Sequence, residues 1–339
     1  MNKYPKVNYI GNKEKLADWI IKNLPVKSGT VLDLFCGGCS VSYALKKSGY
    51  NVISNDVLYS NFVIAKAIVE NDQEILYEED LNIEPKKEVL AEEYKRIQFL
   101  VNKLYFRNEV EELAHLISVG KTLKGYKKYL FLSLLRRSMI RKIPYSRMNI
   151  KWTEITKLRD EEYSYKKYGR YRHYHNISFM EHIKDNLKEY NDAVLCNETS
   201  CVAINYDAAD CLEKLKQPVD MVYMDPPYPS TMNKYIDFYG PFDKMFEKNI
   251  KIKTELTDKN TFLENFSYLI RLCVGKAKYV VISLNNRSYP SVETLVQHIS
   301  CYIDEYTLST KTHAYKVTGK ENKKSNEEIL LVCKMKESL

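Results

Sequence analysis

The tetrapeptide Asp225-Pro226-Pro227-Tyr228 has the residue types that most clearly fit a chemical reaction. It follows the apolar run Val219–Met224, which predicts a buried strand, and ligands of open parallel sheets bind beyond the carboxyl ends of strands. An exocyclic amine such as that of adenine is a poor nucleophile, because its lone pair is delocalised into the ring. The Asp225 carboxylate and the Pro226 carbonyl, directed by the proline that follows, could accept both amine hydrogens and free that lone pair. The Tyr228 ring offers a face on which the base could stack, whereas the structural alternative is a strand-ending turn.

A second set of candidates follows the predicted strand that contains Asp33 and Phe35. The chain continues as Cys36-Gly37-Gly38-Cys39 and then enters a predicted helix, so backbone amides of this turn can face a ligand. Asp56 follows the next predicted strand, where an acidic residue can accept hydrogen bonds from both hydroxyls of a ribose. The structural alternative for Asp56 is the N-cap of a helix.

Cys36 and Cys39 also have the spacing of a thiol redox or zinc site. Eight cysteines in 339 residues are ordinary for a protein of a reducing compartment. A structural zinc would need further ligands at suitable spacing, and the sequence has no second close pair of cysteines. We therefore expect no metal, and we interpret the two cysteines as small residues of a tight turn.

The elements that position these candidates are predicted from hydrophobic periodicity. Helices alternate with strands over the first 75 residues, and strand signals resume after residue 200. This order predicts an α/β fold with a parallel sheet and helices on its faces. The predicted helices cover residues 13–24, 40–47 and 59–70, and the predicted strands cover residues 31–35, 51–55, 201–206, 219–224, 279–284 and 329–333.

Between these sheet-forming parts lies a helical, basic and tyrosine-rich segment. We therefore predict a sheet domain of residues 1–85 and 191–339, with an inserted domain of residues 86–190. From Lys121 to His175 there are 16 Lys and Arg residues against 4 Asp and Glu, whereas the whole chain has a net charge of +8. Such a block predicts a polyanionic partner, although a solvated helix face is the structural alternative. The candidate DNA-binding residues are Arg136, Arg137, Arg141, Lys142, Lys166, Lys167, Arg170 and Arg172.

Three motifs together resemble one known family. Tyr9-Ile10-Gly11-Asn12-Lys13, the glycine turn after Asp33 and the tetrapeptide at Asp225 occur in the order found in the Dam-type adenine-specific DNA methyltransferases. The resemblance covers residues 5–75 and 195–335 and implies a Rossmann-like, S-adenosylmethionine-dependent methyltransferase sheet. It also implies an inserted target-recognition domain and transfer of a methyl group to the N6 amine of adenine in a specific double-stranded DNA sequence. The glycine turn departs from the Phe-x-Gly-x-Gly pattern frequent in that family, because position 39 is cysteine.

The resemblance further implies which residues contact S-adenosylmethionine. Asp33, Phe35 and Gly37 would surround its methionine moiety, and Asp56 would bind its ribose. Asp207 would face its adenine ring, and Asp225 would touch both the cofactor and the target base. The full set of implied cofactor contacts is Tyr9, Lys13, Asp33, Phe35, Gly37, Asp56, Asp207 and Asp225.

Other functions remain open at this point. A related enzyme could methylate the N4 amine of cytosine or a base in RNA, because the same turn suits any exocyclic amine. A catalytically silent DNA-binding module and a thiol oxidoreductase that uses Cys36 and Cys39 are two further classes. The basic insertion and the order of the motifs favour methylation of adenine in DNA.

The sequence shows no targeting signal, so we expect a cytoplasmic enzyme. The first five residues lack the apolar run of a signal peptide, and nowhere do about 18 apolar residues run together as in a membrane span. We expect double-stranded DNA as the partner and no membrane. A functional pairing with a restriction endonuclease is compatible with the resemblance.

Overall fold

The computed structural model describes residues 2–229, 231–312 and 326–338, which divide into two compact units. We call them the helical unit and the sheet unit. The helical unit comprises Met1–Asn12, Leu58–Asn197 and Ile236–Asn249, and the sheet unit comprises Lys13–Val57, Glu198–Tyr235 and Ile250–Leu339. The predicted insertion of residues 86–190 lies within the helical unit, which also takes in residues before and after it.

In the described part of the sheet unit, seven strands form one sheet in the order β3-β2-β1-β4-β5-β7-β6. Strands β1 to β5 pair with one another in parallel, whereas β7 is antiparallel to both β5 and β6. The register places Asp33 of β1 opposite Ser54 of β2 and Tyr223 of β4. The strands are β1 Thr30–Asp33, β2 Asn51–Asn55, β3 Cys201–Ile204, β4 Val219–Met224, β5 Ala277–Asn285, β6 Ile303–Thr312 and β7 Glu327–Met335.

The end of the sheet corrects one prediction. The apolar run 329–333 does form a strand, but β7 is antiparallel, and β6 was not predicted. Most residues of β6 are exposed at the sheet edge, so this strand has no apolar run for periodicity to detect. The direction of a strand is likewise absent from its hydrophobic pattern. As a result, β7 begins at the edge of the sheet where β4 and β5 end.

Helices account for most of the remaining described chain. The predicted helix 40–47 is found as predicted, whereas the predicted helix 59–70 ends its α-helical part at Ala65 and continues as a π-helical turn, Lys66–Glu70. No helix in the described ranges is long and apolar enough to cross a bilayer. The helices are α1 Ala17–Lys22, α2 Ser40–Lys47, α3 Tyr59–Ala65, α4 Lys87–Ile97, α5 Arg107–Thr122, α6 Gly125–Arg141, α7 Trp152–Arg159, α8 Glu161–Tyr168, α9 Phe179–Asn191, α10 Ala208–Lys214, α11 Tyr235–Met245, α12 Phe262–Cys273 and α13 Val292–Ile299.

Each unit has its own buried apolar core. In the sheet unit, strand residues such as Val222 and Ile282 pack with Phe266 and Leu269 of α12. These central strands are apolar on both sheet faces, as expected for parallel strands covered by helices. In the helical unit, α5, α6 and α9 bury large side chains at their contacts, for example Phe131 of α6. The rigid sheet is thus the element that can hold reacting groups in place.

Candidate active site

Three carboxylates lie at the carboxyl ends of adjacent parallel strands. Asp33 is the last residue of β1, Asp56 follows β2, and Asp225 follows β4. Because β2, β1 and β4 are neighbours in the sheet, their ends meet at one edge, and the negative charges of Asp56 and Asp225 raise the pKa of Asp33. The sequence-based prediction that these acids share one site edge agrees with this geometry.

Asp33 is the most deeply buried of the three, with 1% of its surface exposed. Its Oδ2 accepts a hydrogen bond from Ser42 Oγ at 2.6 Å, and Ser54 Oγ donates to Ser42 Oγ at 2.9 Å. Burial is the main cause that raises the pKa of Asp33 to about 7, with the neighbouring carboxylates adding to it. Among the described residues, Asp33 Oδ1 is a buried acceptor without a hydrogen-bond partner. Such an oxygen is suited to a hydrogen-bond donor, and above all to a cationic one, brought by a ligand.

The glycine turn is fastened to the end of β2. Gly37 has a φ of +51° and donates its backbone N–H to Asp56 Oδ2 at 2.9 Å, while the Cys36 N–H donates to the Asn55 carbonyl. Cys39, where the related pattern has its second glycine, adopts a φ of +64° in the left-handed region that favours glycine. The departure at position 39 therefore leaves the shape of the turn intact, with a cysteine in a backbone conformation suited to glycine.

The alternative role of Asp56 as a helix N-cap is not found. Helix α3 begins at Tyr59, and its first backbone N–H groups, those of Tyr59 and Ser60, donate to the carboxylate of Asp243 at 2.6 and 2.9 Å. Asp56 instead accepts the N–H of Gly37 and remains beside Asp33. Its role is therefore tied to the glycine turn rather than to the helix.

The cysteine pair lacks the properties of a reactive thiol. Cys39 Sγ donates to Cys36 Sγ at 3.6 Å, and both side chains are buried. Burial raises the pKa of the Cys36 thiol well above its ordinary value, whereas redox and nucleophilic cysteines need a lowered pKa and access to solvent. This geometry argues against the thiol oxidoreductase and agrees with the interpretation of the pair as part of the turn.

Asp225 contacts a buried ion pair. Lys13 Nζ lies 3.5 Å from Asp225 Oδ1 and 3.2 Å from Glu328 Oε2 of β7. The exposed fractions of the side chains are 24% for Asp225, 10% for Lys13 and 1% for Glu328. Loss of solvent raises the pKa of Asp225 to about 6, and the Lys13 ammonium opposes that rise. Near neutral pH, Asp225 is therefore mainly an ionised hydrogen-bond acceptor.

The turn after Asp225 is held by hydrogen bonds to Tyr228. The Tyr228 hydroxyl donates to the Ser283 carbonyl of β5 at 2.9 Å, and Thr231 and Asn233 both donate to the Tyr228 carbonyl. The Tyr228 ring is 4% exposed, with its centroid 5.6 Å from that of Phe262. The hydroxyl anchors the turn to the neighbouring strand, and the role of the ring as a stacking face for a base stays a prediction.

Comparisons with known proteins identify the family. The family described as "D12 class N6 adenine-specific DNA methyltransferase" matches residues 9–298 of this chain. The chain belongs to this family. It is also similar to the Type II methyltransferase M2.HphI of Haemophilus parahaemolyticus, with 43% identity over 340 residues, which cover 97% of this chain and 98% of that protein. The crystal structure of PH1948 from Pyrococcus horikoshii covers 98% of this chain and 91% of that chain, but its 11% identity and TM-score of 0.32 support no argument.

The D12 assignment confirms the predicted family, the Rossmann-like methyltransferase fold and the enzyme class. The protein is an adenine-specific DNA methyltransferase, so it acts on DNA and uses a methyl donor. The methylated atom is the N6 amine of adenine rather than the N4 amine of cytosine. The silent DNA-binding module and the thiol oxidoreductase are both set aside by the same finding.

Two predicted cofactor contacts of this methyltransferase, Asp207 and Tyr9, have protein partners in the structure. Asp207 is the N-cap of α10, because its Oδ1 accepts the Ala209 N–H at 2.9 Å. It also accepts hydrogen bonds from the backbone of Lys253 and from the hydroxyl of Thr254. These bonds give the carboxylate a structural role, and its contact with the adenine ring of the cofactor stays a prediction. Tyr9 belongs to the helical unit, where its ring stacks on that of Tyr239 with a centroid distance of 5.0 Å.

Half of the predicted DNA-binding cations of the methyltransferase are buried, so these side chains do not lie on an exposed surface. Arg136 is 1% exposed, donates to the Val7 carbonyl at 2.9 Å and lies 4.8 Å from the ring centroid of Tyr239. Its Nε and Nη2 are buried without a hydrogen-bond partner among the described residues, which is a costly arrangement for a charged group. Helical periodicity alone does not reveal such burial. The four buried cations are Arg136, Arg137, Lys142 and Arg172.

The buried cations contact carboxylates or aromatic rings inside the helical unit. Lys142 and Arg159 both contact the buried carboxylate of Glu109, at 2.8 and 2.6 Å. Burial alone would raise the pKa of Glu109, but these two cations outweigh it and lower that pKa. Of the other buried cations, Arg137 pairs with Glu189, and Arg172 lies over the ring of Tyr168. Arg141, also predicted to bind DNA, is half-buried over the ring of Tyr174.

The exposed part of the basic segment is smaller than predicted and includes an aromatic stack. Lys166, Lys167 and Arg170 are exposed at the end of α8 and in the loop after it. Beside them, Tyr165 and Tyr171 stack with a centroid distance of 4.5 Å, and about half of each side chain is exposed. Exposed cations next to exposed rings are typical of a nucleic-acid contact surface.

Sequence reasoning missed two residues of the site, Ser42 and Glu328. Ser42 lies on α2 and supplies the hydrogen bond to Asp33. Glu328 lies at the start of β7, and its signal was an acidic residue entering an otherwise apolar strand. It was missed because a parallel strand would have placed this residue at the opposite edge of the sheet.

Proposed function

We propose that the enzyme takes its methyl group from S-adenosylmethionine bound in the sheet unit. It transfers this group to the N6 amine of an adenine that is flipped out of a specific double-stranded DNA sequence. The observation that carries the proposal is the set of Asp33, Asp56 and Asp225 at adjacent strand ends, with Asp33 Oδ1 as a buried acceptor that lacks a hydrogen-bond partner among the described residues.

The residues present fit this methyl donor. When bound, S-adenosylmethionine supplies a methyl group on a positively charged sulfur. The unpaired Asp33 oxygen suits the ammonium group of its methionine moiety, and Asp56, clamped by the Gly37 amide, stands at the strand end where ribose hydroxyls are bound. Phe35 is half-buried next to the glycine turn and would line the same site. Lys13 would act beside Asp225 and support the acceptor.

Asp225 and the Pro226 carbonyl act on the target amine. Each accepts one N6 hydrogen, which pulls the nitrogen toward tetrahedral geometry and localises its lone pair. That lone pair would form the bond to the methyl carbon as the carbon–sulfur bond breaks toward sulfur, and N6 would then release one proton to solvent. Because Asp225 accepts best when ionised and its pKa is raised to about 6, the rate should fall as the pH decreases through 6.

We assign DNA binding to the exposed cations of the helical unit. Lys166, Lys167 and Arg170 would neutralise phosphates and release counterions, which gives salt-dependent affinity. The exposed rings of Tyr165 and Tyr171 would stack on bases or wedge between them while the target adenine leaves the duplex. Flipping is needed because the N6 amine inside a base pair cannot reach groups at the end of a sheet.

We further propose that the methylation protects DNA against a paired restriction endonuclease. The support is the name of the relative, a Type II methyltransferase, together with 43% identity along almost the whole of both chains. Plasmid recovered from cells that express this enzyme should resist an endonuclease that cleaves the same sequence. Sensitivity of the fully methylated plasmid to every such endonuclease would contradict this part of the proposal.

The methylated product tests the proposed reaction. Purified enzyme is incubated with S-adenosylmethionine carrying a labelled methyl group and with unmethylated plasmid DNA. The DNA is then digested to nucleosides and analysed by mass spectrometry. We expect label in N6-methyladenosine of the deoxy series, confined to one sequence context. Label in N4-methylcytosine, or no transfer to duplex DNA but transfer to RNA, would contradict the proposal.

A further inference from the structure

Glu328 is a buried carboxylate at the edge of the sheet where the proposed chemistry takes place. It is 1% exposed and is the second residue of β7, opposite Asn285 at the end of β5. A buried carboxylate is costly unless it is paired, and Glu328 pairs with the Lys13 ammonium at 3.2 Å. An apolar residue at this strand position would avoid that cost, so the charge calls for a functional explanation.

The ammonium lies between two carboxylates of unequal exposure. Lys13 Nζ is closer to Glu328, at 3.2 Å, than to Asp225, at 3.5 Å, which is longer than a tight charge-assisted hydrogen bond. The Lys13 backbone is also fixed, because its N–H donates to Ser40 Oγ at 3.2 Å. Glu328 is thus the nearer of the two carboxylates to the ammonium, and the bond to Ser40 fixes the backbone from which the Lys13 side chain extends.

Without Glu328, Asp225 would be the carboxylate left in contact with the Lys13 ammonium, and the ammonium would move toward it. It would then close the 3.5 Å gap to Oδ1, and a tightly bound ammonium would weaken this carboxylate as an acceptor for the target amine. We propose that Glu328 is a positioning residue that holds the Lys13 ammonium beside Asp225 without letting it bind tightly. The Asp225 carboxylate is in this way kept ionised and yet available to the N6 amine. The inference rests on the proposed role of Asp225 as an amine acceptor.

The electrostatics of Asp225 give the inference a distinctive signature. Loss of solvent is the main cause that raises the pKa of Asp225; the charge of Lys13 lowers that pKa, and the charge of Glu328 raises it. Removing the charge of Glu328 should therefore lower the pKa of Asp225, and removing Lys13 should raise it. Among the described residues, Lys13 and Glu328 are the charged groups that shift the pKa of Asp225. The charge of Asp225 in turn adds to the rise that burial causes in the pKa values of Asp33, Tyr223 and Tyr228.

The test compares pH–rate profiles of Glu328→Gln and Lys13→Met in the full-length enzyme. Single-turnover methyl transfer from labelled S-adenosylmethionine to DNA is measured between pH 5 and 8.5. For Glu328→Gln we expect the acidic limb to move to lower pH by about 0.5–1 unit, with a roughly tenfold lower plateau and an unchanged KM for DNA. For Lys13→Met we expect the acidic limb to move to higher pH by a similar amount.

Asp220→Asn is the matched control. Asp220 lies on the same strand as Asp225, about 16 Å away by strand geometry, and pairs with Lys278 at 2.7 Å. Its substitution should leave the profile unchanged. Glu328→Asp, which keeps the charge, should restore the acidic limb to its wild-type position. If Glu328→Gln does not fold, the apolar variant Glu328→Leu takes its place in the same measurement, because it also removes the charge of Glu328.

Two outcomes would overturn the inference: a Glu328→Gln profile whose acidic limb is unmoved or moves to higher pH, or a Lys13→Met limb that stays in place. Asp225→Asn separates this failure from failure of the proposed function. If Asp225→Asn is inactive and the two profiles do not move, only the role of Glu328 is wrong. If Asp225→Asn remains active, the assignment of Asp225 itself is wrong.

Discussion

Asp33 is a residue at which function and stability oppose each other. Its carboxylate is buried, keeps one oxygen without a hydrogen-bond partner among the described residues, and has its pKa raised to about 7. A raised pKa means that the ionised form is less stable in the folded chain than in the unfolded chain. Such a cost is expected where a protein prepares a site for a cationic ligand.

Asp33→Asn should stabilise the ligand-free enzyme and weaken the binding of S-adenosylmethionine. Because the folded pKa is about 7 and the ordinary value is 3.8, the penalty in wild type is absent below pH 3.8, grows as the pH rises and is complete above about 7. The gain should be on the order of 1–4 kcal/mol at pH 8 and should shrink toward pH 4. Thermal melts at pH 5 and 8 measure it, and calorimetry should show at least about tenfold weaker binding.

The control for this prediction is Asp220→Asn, because the pKa of Asp220 is lowered by hydrogen bonds from Lys278 and from the backbone of Thr30. That substitution should slightly destabilise the enzyme at pH 8 and leave S-adenosylmethionine binding unchanged. A wild-type enzyme more stable than Asp33→Asn at pH 8 would show that the folded enzyme stabilises the ionised Asp33 carboxylate.

Tyr228→Phe separates the hydroxyl of Tyr228 from its ring. The hydroxyl donates to the Ser283 carbonyl, so its loss should cost about 0.5–1.5 kcal/mol of stability while leaving methylation within a few-fold of wild type. Tyr228→Ala removes the ring as well and should lower the methylation rate by about two orders of magnitude. Equal activity of the Phe and Ala variants, measured by single-turnover methyl transfer, would contradict a role for the ring.

At the scale of elements, sequence patterns located the central strands well. The run Val219–Met224 and the helix Ser40–Lys47 were predicted with the observed bounds, because parallel central strands and short amphipathic helices have clear hydrophobic patterns. The shared edge of Asp33, Asp56 and Asp225 followed from the rule that parallel strands end together.

Contacts distant in the sequence could not be predicted in this way. The arrival of Glu328 at the site depends on the antiparallel direction of β7, and the burial of Lys142 depends on Glu109, which lies on a different helix. The hydrophobic pattern of α6 and of the residues after it does not indicate that Lys142 pairs with Glu109. Basic residues were therefore assigned to DNA whether they were paired inside the helical unit or free on its surface.

Buried and exposed cations of the helical unit should respond differently to substitution. Lys142→Met removes a buried partner of Glu109 and should lower the free energy of unfolding by about 3 kcal/mol, whereas Lys166→Met should change it by less than about 0.5 kcal/mol. Chemical denaturation measures both. A Lys142→Met enzyme as stable as wild type would show that this ion pair is dispensable to the fold.

Alanine at Lys166, Lys167 and Arg170 together should weaken DNA binding without unfolding the enzyme. Each free cation that neutralises one phosphate contributes about 0.9 to the slope of log K against log salt, so the slope should decrease by about 2–3. Fluorescence anisotropy with duplex DNA at several salt concentrations measures it. An unchanged slope would show that DNA is bound elsewhere on the protein.

At the scale of the whole molecule, we expect the two compact units to bind different substrates. The acids that would hold the methyl donor lie in the sheet unit, and the exposed cations and stacked rings lie in the helical unit. Binding of the two substrates should therefore be separable by substitution. The triple alanine variant should bind S-adenosylmethionine with wild-type affinity, and Asp33→Asn should bind DNA with wild-type affinity. Loss of both affinities in either variant would contradict this division.

The most direct test of the account is single-turnover methyl transfer by Asp225→Asn, with DNA and S-adenosylmethionine both saturating. The amide keeps the size of the side chain but offers an uncharged acceptor, and the rate constant should fall at least about a thousandfold. Affinities for both substrates, measured in the same preparation, should stay within about threefold of wild type. A rate within tenfold of wild type would show that Asp225 does not grip the target amine.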